Sequence, residues 1–224
     1  MQTRIFDYIV PIIIPGIIAT IKMLALSFVF SLILGVILGS ILIYTHEDGL
    51  KPNKIIYGLL NFILGLIRSF PVIILIVAIT PLTKKIVGTS IGSTAALVPI
   101  TIATTPIIAK NIENVIMEID KNVILAAKSF GATNFQILYY VLFPEALPSL
   151  ISAFTLISII CLGTTAVAGA IGAGGLGSVA LNYGYQRFDD LVMYSIVIIL
   201  FIIVGVLQLI GDKAYNYFNK SKNE

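Results

Sequence analysis

The chain contains one histidine and one cysteine, the residue types that most often ligate metals or attack substrates. His46 and Cys161 lie far apart, and neither has a second histidine or cysteine at the spacing of a metal site. A single cysteine also excludes an internal disulfide bond. We therefore interpret both residues as structural, and we expect no metal site and no catalytic residue in this chain.

A glycine pattern of the dinucleotide-binding type occurs at Gly172, Gly174 and Gly177. That fingerprint requires a preceding strand inside a βαβ unit, whereas here a long apolar segment of helical length precedes it. The phosphate-binding P-loop is missing too, because no Gly-Lys pair occurs in the sequence. We expect that this chain binds no cofactor and that any ATP hydrolysis comes from another chain.

Charged residues are concentrated in the segment 110–145, which carries four carboxylates and three lysines. Such a segment could dock onto a protein partner in the cytoplasm. It could equally form an amphipathic helix on the inner membrane surface. Composition alone leaves both interpretations open.

The pattern inside this segment predicts a helix, a break and a second helix. Asp120 is placed to cap a helix that runs through Phe130, and Gly131 suits the left-handed position after a helix end. Thr133–Gln136 has the spacing of a capping box, which starts the second helix. Pro144 and Pro148 mark where this second helix is expected to turn up into the membrane.

The elements that carry this segment are apolar. Hydrophobic residues make up 58% of the 224 residues and charged residues 11%, against roughly 45–50% and 25% in a soluble domain. The formal charge is only +3. This composition argues against a soluble enzyme, a disordered chain and a nucleic-acid-binding protein. It indicates a protein that lies in a lipid bilayer.

Five long apolar segments are separated by the charged residues, and a helix crosses the hydrocarbon in about 20 residues. We therefore predict an all-α, polytopic membrane protein that consists of one transmembrane domain over residues 1–224. Its five transmembrane helices are expected at about 15–44, 60–81, 87–109, 147–171 and 191–210.

The distribution of lysine and arginine predicts the orientation. One side of the membrane would hold eight lysines, and the other would hold only Arg4, Lys84, Lys85 and Arg187. Because positive residues favour the cytoplasmic side, we expect the N-terminus outside and the C-terminus in the cytoplasm.

The fourth apolar stretch is too long for one span and is rich in small residues. We expect a helix to about Ile171 and an external loop over Gly172–Asp190, because each glycine costs a helix about 1 kcal/mol relative to alanine. The candidate translocation path lies just before this loop. Val167 could be an apolar plug on such a path, or the small residues around it could simply pack helices closely. The candidate path residues are Gly163, Thr164, Val167 and Gly169.

Arg68 is a charged residue inside the second predicted span. It is expected about one turn from the inner boundary, where it can reach the interface or pair with helix-end carbonyls. A gating or packing role is the alternative, aided by a kink at Pro71.

The segment 125–144 resembles the EAA loop of ATP-binding-cassette importer permeases. Leu125-Ala126-Ala127, Gly131 and Val141-Leu142-Phe143-Pro144 stand in that register, with Leu125 in place of the usual glutamate. The resemblance implies that residues 110–145, the coupling segment, contain a coupling helix that docks into a groove of the ATPase. The residues implied in coupling are Leu125, Ala126, Ala127, Gly131, Ala132, Pro144 and Glu145.

Nearly the whole chain resembles methionine-importer permeases of this class. The similarity is carried by Arg68–Pro71, Gly88–Gly92, Phe143–Ser149 and Gly172–Gly177 followed by Tyr183–Phe188. It implies a homodimer in the bacterial plasma membrane, two cytoplasmic ATPases and an extracytoplasmic substrate-binding lipoprotein. The implied substrate is methionine, the L- and possibly the D-isomer, moved by alternating access without covalent chemistry.

Two alternatives remain at this point. The Gly-rich run also resembles permeases for quaternary amines, which are the first alternative together with other small solutes. An ion-coupled secondary transporter is the second, but it predicts carboxylates inside the spans, and the five predicted spans contain none. A membrane-embedded hydrolase is discounted because no intramembrane histidine or carboxylate could activate a serine.

Overall fold

The computed structural model describes residues 10–223, with side chains as far as Asn219, so the expectation for Arg4 lies outside the described residues. The described chain is helical and contains no strand. The helices are α1 Val10–Thr45, α2 Lys54–Ser69, α3 Val72–Ala78, α4 Thr80–Val87, α5 Ser93–Met117, α6 Lys121–Ser129, α7 Asn134–Ala173, α8 Gly175–Val179 and α9 Asp190–Asn223.

Four described helices, α1, α5, α7 and α9, are long and apolar enough to cross a membrane. The bent pair α2 and α3 raises the number to five when it is counted as one span. The prediction of a polytopic α-helical membrane protein with five spans is therefore confirmed.

The second span differs from the predicted single helix over 60–81. Helix α2 ends at Ser69, the chain bends, and Pro71 precedes the first residue of α3 with an extended backbone (φ −55°, ψ 130°). Proline has no N–H for the helical ladder and disfavours helical geometry at the residue before it, Phe70. Pro71 thus separates two helices, and the prediction of a kink within one helix was wrong.

The third span begins and ends later than the predicted 87–109. Gly88 and Gly92 both have positive φ, so α5 cannot begin before Ser93. At the other end α5 continues to Met117, because Lys110 pairs with Glu113 one turn on at 2.7 Å and does not end the helix.

The second helix of the coupling segment runs on past Pro144 and Pro148 into the fourth predicted span. Helix α7 is continuous over Asn134–Ala173 and includes a wide π-helical stretch, Ile137–Leu142, just before Pro144. There the N–H of Phe143 bonds the carbonyl of Leu138, one residue further back than in an α-helix. Shifting the pattern by one residue accommodates the N–H that Pro144 lacks.

The expected external loop over Gly172–Asp190 is also largely helical. The backbone leaves the helical region between Ile171 and Gly175 and again at Phe188, and between these breaks it is helical in α8 and in the π turns Ala180–Tyr185. Burial explains the difference, because Leu176 is fully buried and lies in one apolar cluster with Ile13 of α1 and Ile196 of α9.

The chain divides into two compact units. The first contains the described residues up to Phe30 together with Phe70–Thr104 and Ser158–Leu207. Its main core consists of buried residues from α1, α3, α5 and α7, among them Met23, Ile100 and Cys161.

The second unit contains Ser31–Ser69, Thr105–Ile157 and the chain from Gln208. In this unit α1 packs closely against α5, because a Cβ on Gly35 would clash with Ile108, and a Cβ on Gly39 would lie 3.0 Å from the carbonyl oxygen of Ala109. Small residues at this spacing allow membrane helices to approach closely.

Candidate functional site

The coupling segment folds as its local pattern predicts. Asp120 caps α6 by accepting a hydrogen bond from the N–H of Asn122 at 2.8 Å. Thr133 and Gln136 form the complete capping box at the start of α7. Both predictions are therefore confirmed, and they fix where the two helices of the segment begin.

Gly131 makes the turn between these two helices. Its φ is +78°, and a Cβ built on it would meet nothing within 4 Å. The position therefore requires glycine for its left-handed backbone, and space plays no part.

The surface of the coupling segment is markedly apolar. Phe130 is 91% exposed, Leu125 59% and Phe135 63%. Ala126 is exposed between them, while Ala127 and Ala132 are half-buried. Large apolar side chains that are exposed close together in the sequence indicate an interaction site. Pro144 is exposed and Glu145 half-buried, about two and a half turns beyond Phe135 along α7.

Polar contacts between residues far apart in the sequence hold the coupling segment to the rest of its unit. Lys121 Nζ contacts Asp48 Oδ1 at 2.8 Å, and the side chain of Asn134 donates to the carbonyl of Leu50 at 3.2 Å. Lys121 lowers the pKa of the Asp48 carboxyl by this hydrogen bond and by its charge. Both contacts join the loop after α1 to the beginnings of α6 and α7. A third, weaker bond runs from the hydroxyl of Tyr139 to Ser40 at 3.4 Å.

A polar network between α2 and α5 was not predicted. Glu113 is 2% exposed and accepts a hydrogen bond from the hydroxyl of Tyr57 at 2.9 Å. Its other oxygen pairs with Lys110, which also contacts Asn61 Oδ1 at 3.2 Å. The only sequence signal was the spacing of Lys110 and Glu113, three residues apart on a helix.

The candidate path residues fall into two groups in the first unit. Gly163 is exposed, and a Cβ on it would meet nothing within 4 Å. Gly169 is buried, and a Cβ there would lie 2.6 Å from the carbonyl oxygen of Gly174. Thr164 is buried and donates to the carbonyl of Ile160, and Val167 packs against the main core of the unit. Close packing thus accounts for Gly169, whereas Gly163 leaves an open face.

Arg68 lies in the last turn of α2, one residue before its end, and is exposed. Pro71 is exposed at the start of α3. The two residues therefore flank the break in the second span.

No group of three or more His, Cys, Asp or Glu side chains able to hold a metal occurs among the described residues. The glycines of the dinucleotide-like pattern form the kinked junction of α7 and α8, with positive φ at Gly172, Gly174 and Gly175.

Comparison with known proteins matches residues 31–224 to the family described as the inner membrane component of binding-protein-dependent transport systems. A probable D-methionine transport system permease protein of Vibrio cholerae is 42% identical over 77% of this chain and 76% of its own length. The methionine import system permease protein of Bacillus subtilis is 40% identical over 80% of this chain and 81% of its own.

A solved structure of the MetNI methionine ABC transporter in an inward-facing conformation has a TM-score of 0.89 and is 38% identical, covering 92% of this chain and 95% of its own. With its apolar spans, its exposed coupling segment and these similarities, the chain belongs to the family of inner-membrane permease components of binding-protein-dependent ABC importers.

Proposed function

We propose that this chain is the permease subunit of an importer for methionine. The observation that carries the proposal is the similarity, over about three quarters of the chain, to permeases named for methionine transport. The agreement in fold with the MetNI transporter supports it. The chain is a multi-pass membrane protein, and its part in import is to form the path for the substrate.

The coupling segment is the proposed contact with the ATPases. Two cytoplasmic ATPase subunits, each binding ATP and Mg²⁺, would dock at Asp120–Pro144. Phe130 and Leu125 offer an exposed apolar surface there, and apolar anchors carry most of the energy of such interfaces. Leu125 stands where the family has glutamate, so in this chain an apolar contact replaces an ionic one.

The chain is proposed to pair with a second copy of itself in the bacterial plasma membrane. Large apolar side chains on α9, including Phe201, Ile202 and Leu209, are more than half exposed. This surface must be covered by lipid or by the second copy. The N-terminus would face outward, toward a lipoprotein that delivers the substrate, and the C-terminus would face the cytoplasm.

Transport would proceed by alternating access. ATP binding and hydrolysis on the partners would bias which side of the permease is open. The coupling segment would transmit this bias to the candidate path at Gly163, Thr164, Val167 and Gly169, and Arg68 and Pro71 would take part at the break in the second span.

The test is uptake by the reconstituted importer, which contains the permease, its ATPase and its binding lipoprotein. We expect ATP-dependent uptake of labelled L-methionine, and of D-methionine if both isomers are accepted, with none for betaine. Uptake of betaine alone would assign the chain to quaternary-amine permeases. Uptake that persists with an inactive ATPase would indicate an ion-coupled transporter.

A further inference from the structure

The first unit contains a cavity of about 80 Å³ between α3, α4, α5 and the end of α7. Its inner wall is apolar and buried, formed by Ile76, Ala95, Ala96, Pro99, Ala168 and Ala173. Its rim is exposed and includes Val77, Ser90 and Ile171. The cavity thus has a dry floor and an entrance at the surface of the unit.

One polar atom in this wall lacks a partner. Thr83 is 3% exposed, and its hydroxyl Oγ1 has no hydrogen-bond partner among the described residues. The neighbouring Thr80 differs, since its hydroxyl bonds the carbonyl of Ile76 at 3.2 Å. A buried hydroxyl without a partner is costly, and the Thr83 hydroxyl is therefore available to bond an occupant of the cavity.

The entrance is held in shape by the backbone. The N–H of Gly92 donates to the carbonyl of Gly172 at 3.0 Å, which joins the segment before α5 to the kink at the end of α7. Ile171, in that kink, forms part of the rim. The cavity therefore lies next to the end of α7, which carries the candidate path residues Val167 and Gly169.

We propose that this cavity receives the side chain of the transported methionine, with the Thr83 hydroxyl donating a hydrogen bond to the thioether sulfur. This inference rests on the proposed function. The sulfur of a thioether is a weak acceptor, and the apolar walls suit its methylene and methyl groups. No charged side chain lines the cavity, so the ammonium and carboxylate of the amino acid remain at the open rim.

The alternative occupant is water, for which the site is less well built. The volume is large enough for several water molecules. A buried water typically makes about three hydrogen bonds. The floor of this cavity offers the Thr83 hydroxyl and otherwise mainly apolar side chains.

The test compares methionine with norleucine, in which a methylene group replaces the sulfur. The ratio of their uptake rates is measured for the reconstituted importer with wild-type permease and with Thr83→Val. The binding lipoprotein is the same in both assays, so its own selectivity cancels. We expect the preference for methionine to fall about twofold to tenfold in Thr83→Val, the range of one net hydrogen bond.

Two variants are the controls. Thr83→Ser keeps the donor and should keep the ratio. Thr80→Val changes another residue of the same cavity but removes a hydroxyl that already bonds the carbonyl of Ile76 in α3, so it should also keep the ratio. An unchanged ratio in Thr83→Val, including an equal loss for both substrates, would overturn the inference and assign the cavity to water. Absence of methionine uptake by the wild type would instead refute the proposed function.

A second measurement does not depend on transport rates. Cys161, the single cysteine of the chain, is fully buried, so Thr83→Cys introduces a distinguishable thiol. In membranes that contain the assembled importer, we expect methionine with ATP to slow labelling of this thiol by a small reagent. Labelling at the same rate with and without methionine would contradict the inference.

Discussion

The hydroxyl oxygen of Thr20 accepts a hydrogen bond of 2.8 Å from the N–H of Leu176, which joins α1 to the first turn of α8. Both residues are buried, and 156 positions separate them in the sequence. The N–H groups at the start of a helix have no partner within it. Thr20 supplies one, and α8 can therefore begin directly after the kink of α7.

Replacing Thr20 by valine should destabilise the permease. The change keeps the shape of the side chain but leaves the buried N–H of Leu176 without an acceptor, which costs about 1–3 kcal/mol. We expect a lower Tm for the detergent-solubilised protein, whereas Thr20→Ser should stay close to wild type. A Tm unchanged in Thr20→Val would show that the bond contributes nothing.

Replacing Gly131 by valine should prevent docking of the ATPase without preventing membrane insertion. The left-handed backbone at φ +78° costs most residues about 1–2 kcal/mol and is especially unfavourable for a β-branched side chain. Gly131→Asn is the matched control, because asparagine tolerates this conformation. Co-purification with the ATPase and methionine uptake are the measurements. Normal values in Gly131→Val would contradict the assignment of the turn.

Replacing Phe130 by alanine should weaken binding of the ATPase about tenfold or more. An exposed aromatic residue at the centre of an interface contributes on the order of 1–2 kcal/mol or more. Because the side chain is 91% exposed, the fold should not change. Phe62, which is 66% exposed on α2, provides the control as Phe62→Ala. Equal affinities for the two variants would count against docking at this surface.

Removing one charge of the network between α2 and α5 should destabilise the fold more than removing both charges. Glu113→Gln leaves Lys110 without its carboxylate partner. Breaking a fully buried ion pair costs roughly 3–5 kcal/mol, and because the Lys110 side chain is 25% exposed we expect a smaller cost here. The double variant Glu113→Gln with Lys110→Met removes both charges. We expect a smaller loss of Tm in the double variant than in Glu113→Gln, which a double-mutant cycle measures. Simple additivity of the two changes would refute the coupling.

The contact between Asp48 and Lys121 should persist at neutral pH and be lost in acid. Lys121 lowers the pKa of Asp48 below its ordinary value of 3.8. The stabilisation is therefore fully present above that value and disappears as the pH falls through the lowered pKa. We expect amide exchange at the start of α6 to be faster in Asp48→Asn than in wild type at pH 7, and the difference to vanish in acid. A difference that persists there would exclude the ion pair as its cause.

Features that depend on neighbouring residues could be predicted from the amino-acid sequence alone. The scarcity of charge indicates a membrane protein, because helices in lipid must satisfy their own backbone and present apolar side chains. The cap at Asp120, the turn at Gly131 and the capping box at Thr133 depend on groups within three residues. These three features could therefore be predicted from spacing, as could the register of the coupling segment.

Features that depend on contacts between residues far apart in the sequence are visible only in the folded protein. Helix α8 forms in a glycine-rich stretch because the burial of Leu176 and the acceptor on Thr20 outweigh the unfavourable helix propensity. Glu113 is tolerated in the interior because Tyr57, 56 residues away, donates a hydrogen bond to one of its oxygens and Lys110 pairs with its charge. The cavity beside Thr83 exists only where four helices meet. Spacing along the chain carries no information about such meetings, since they depend on packing between segments far apart in sequence.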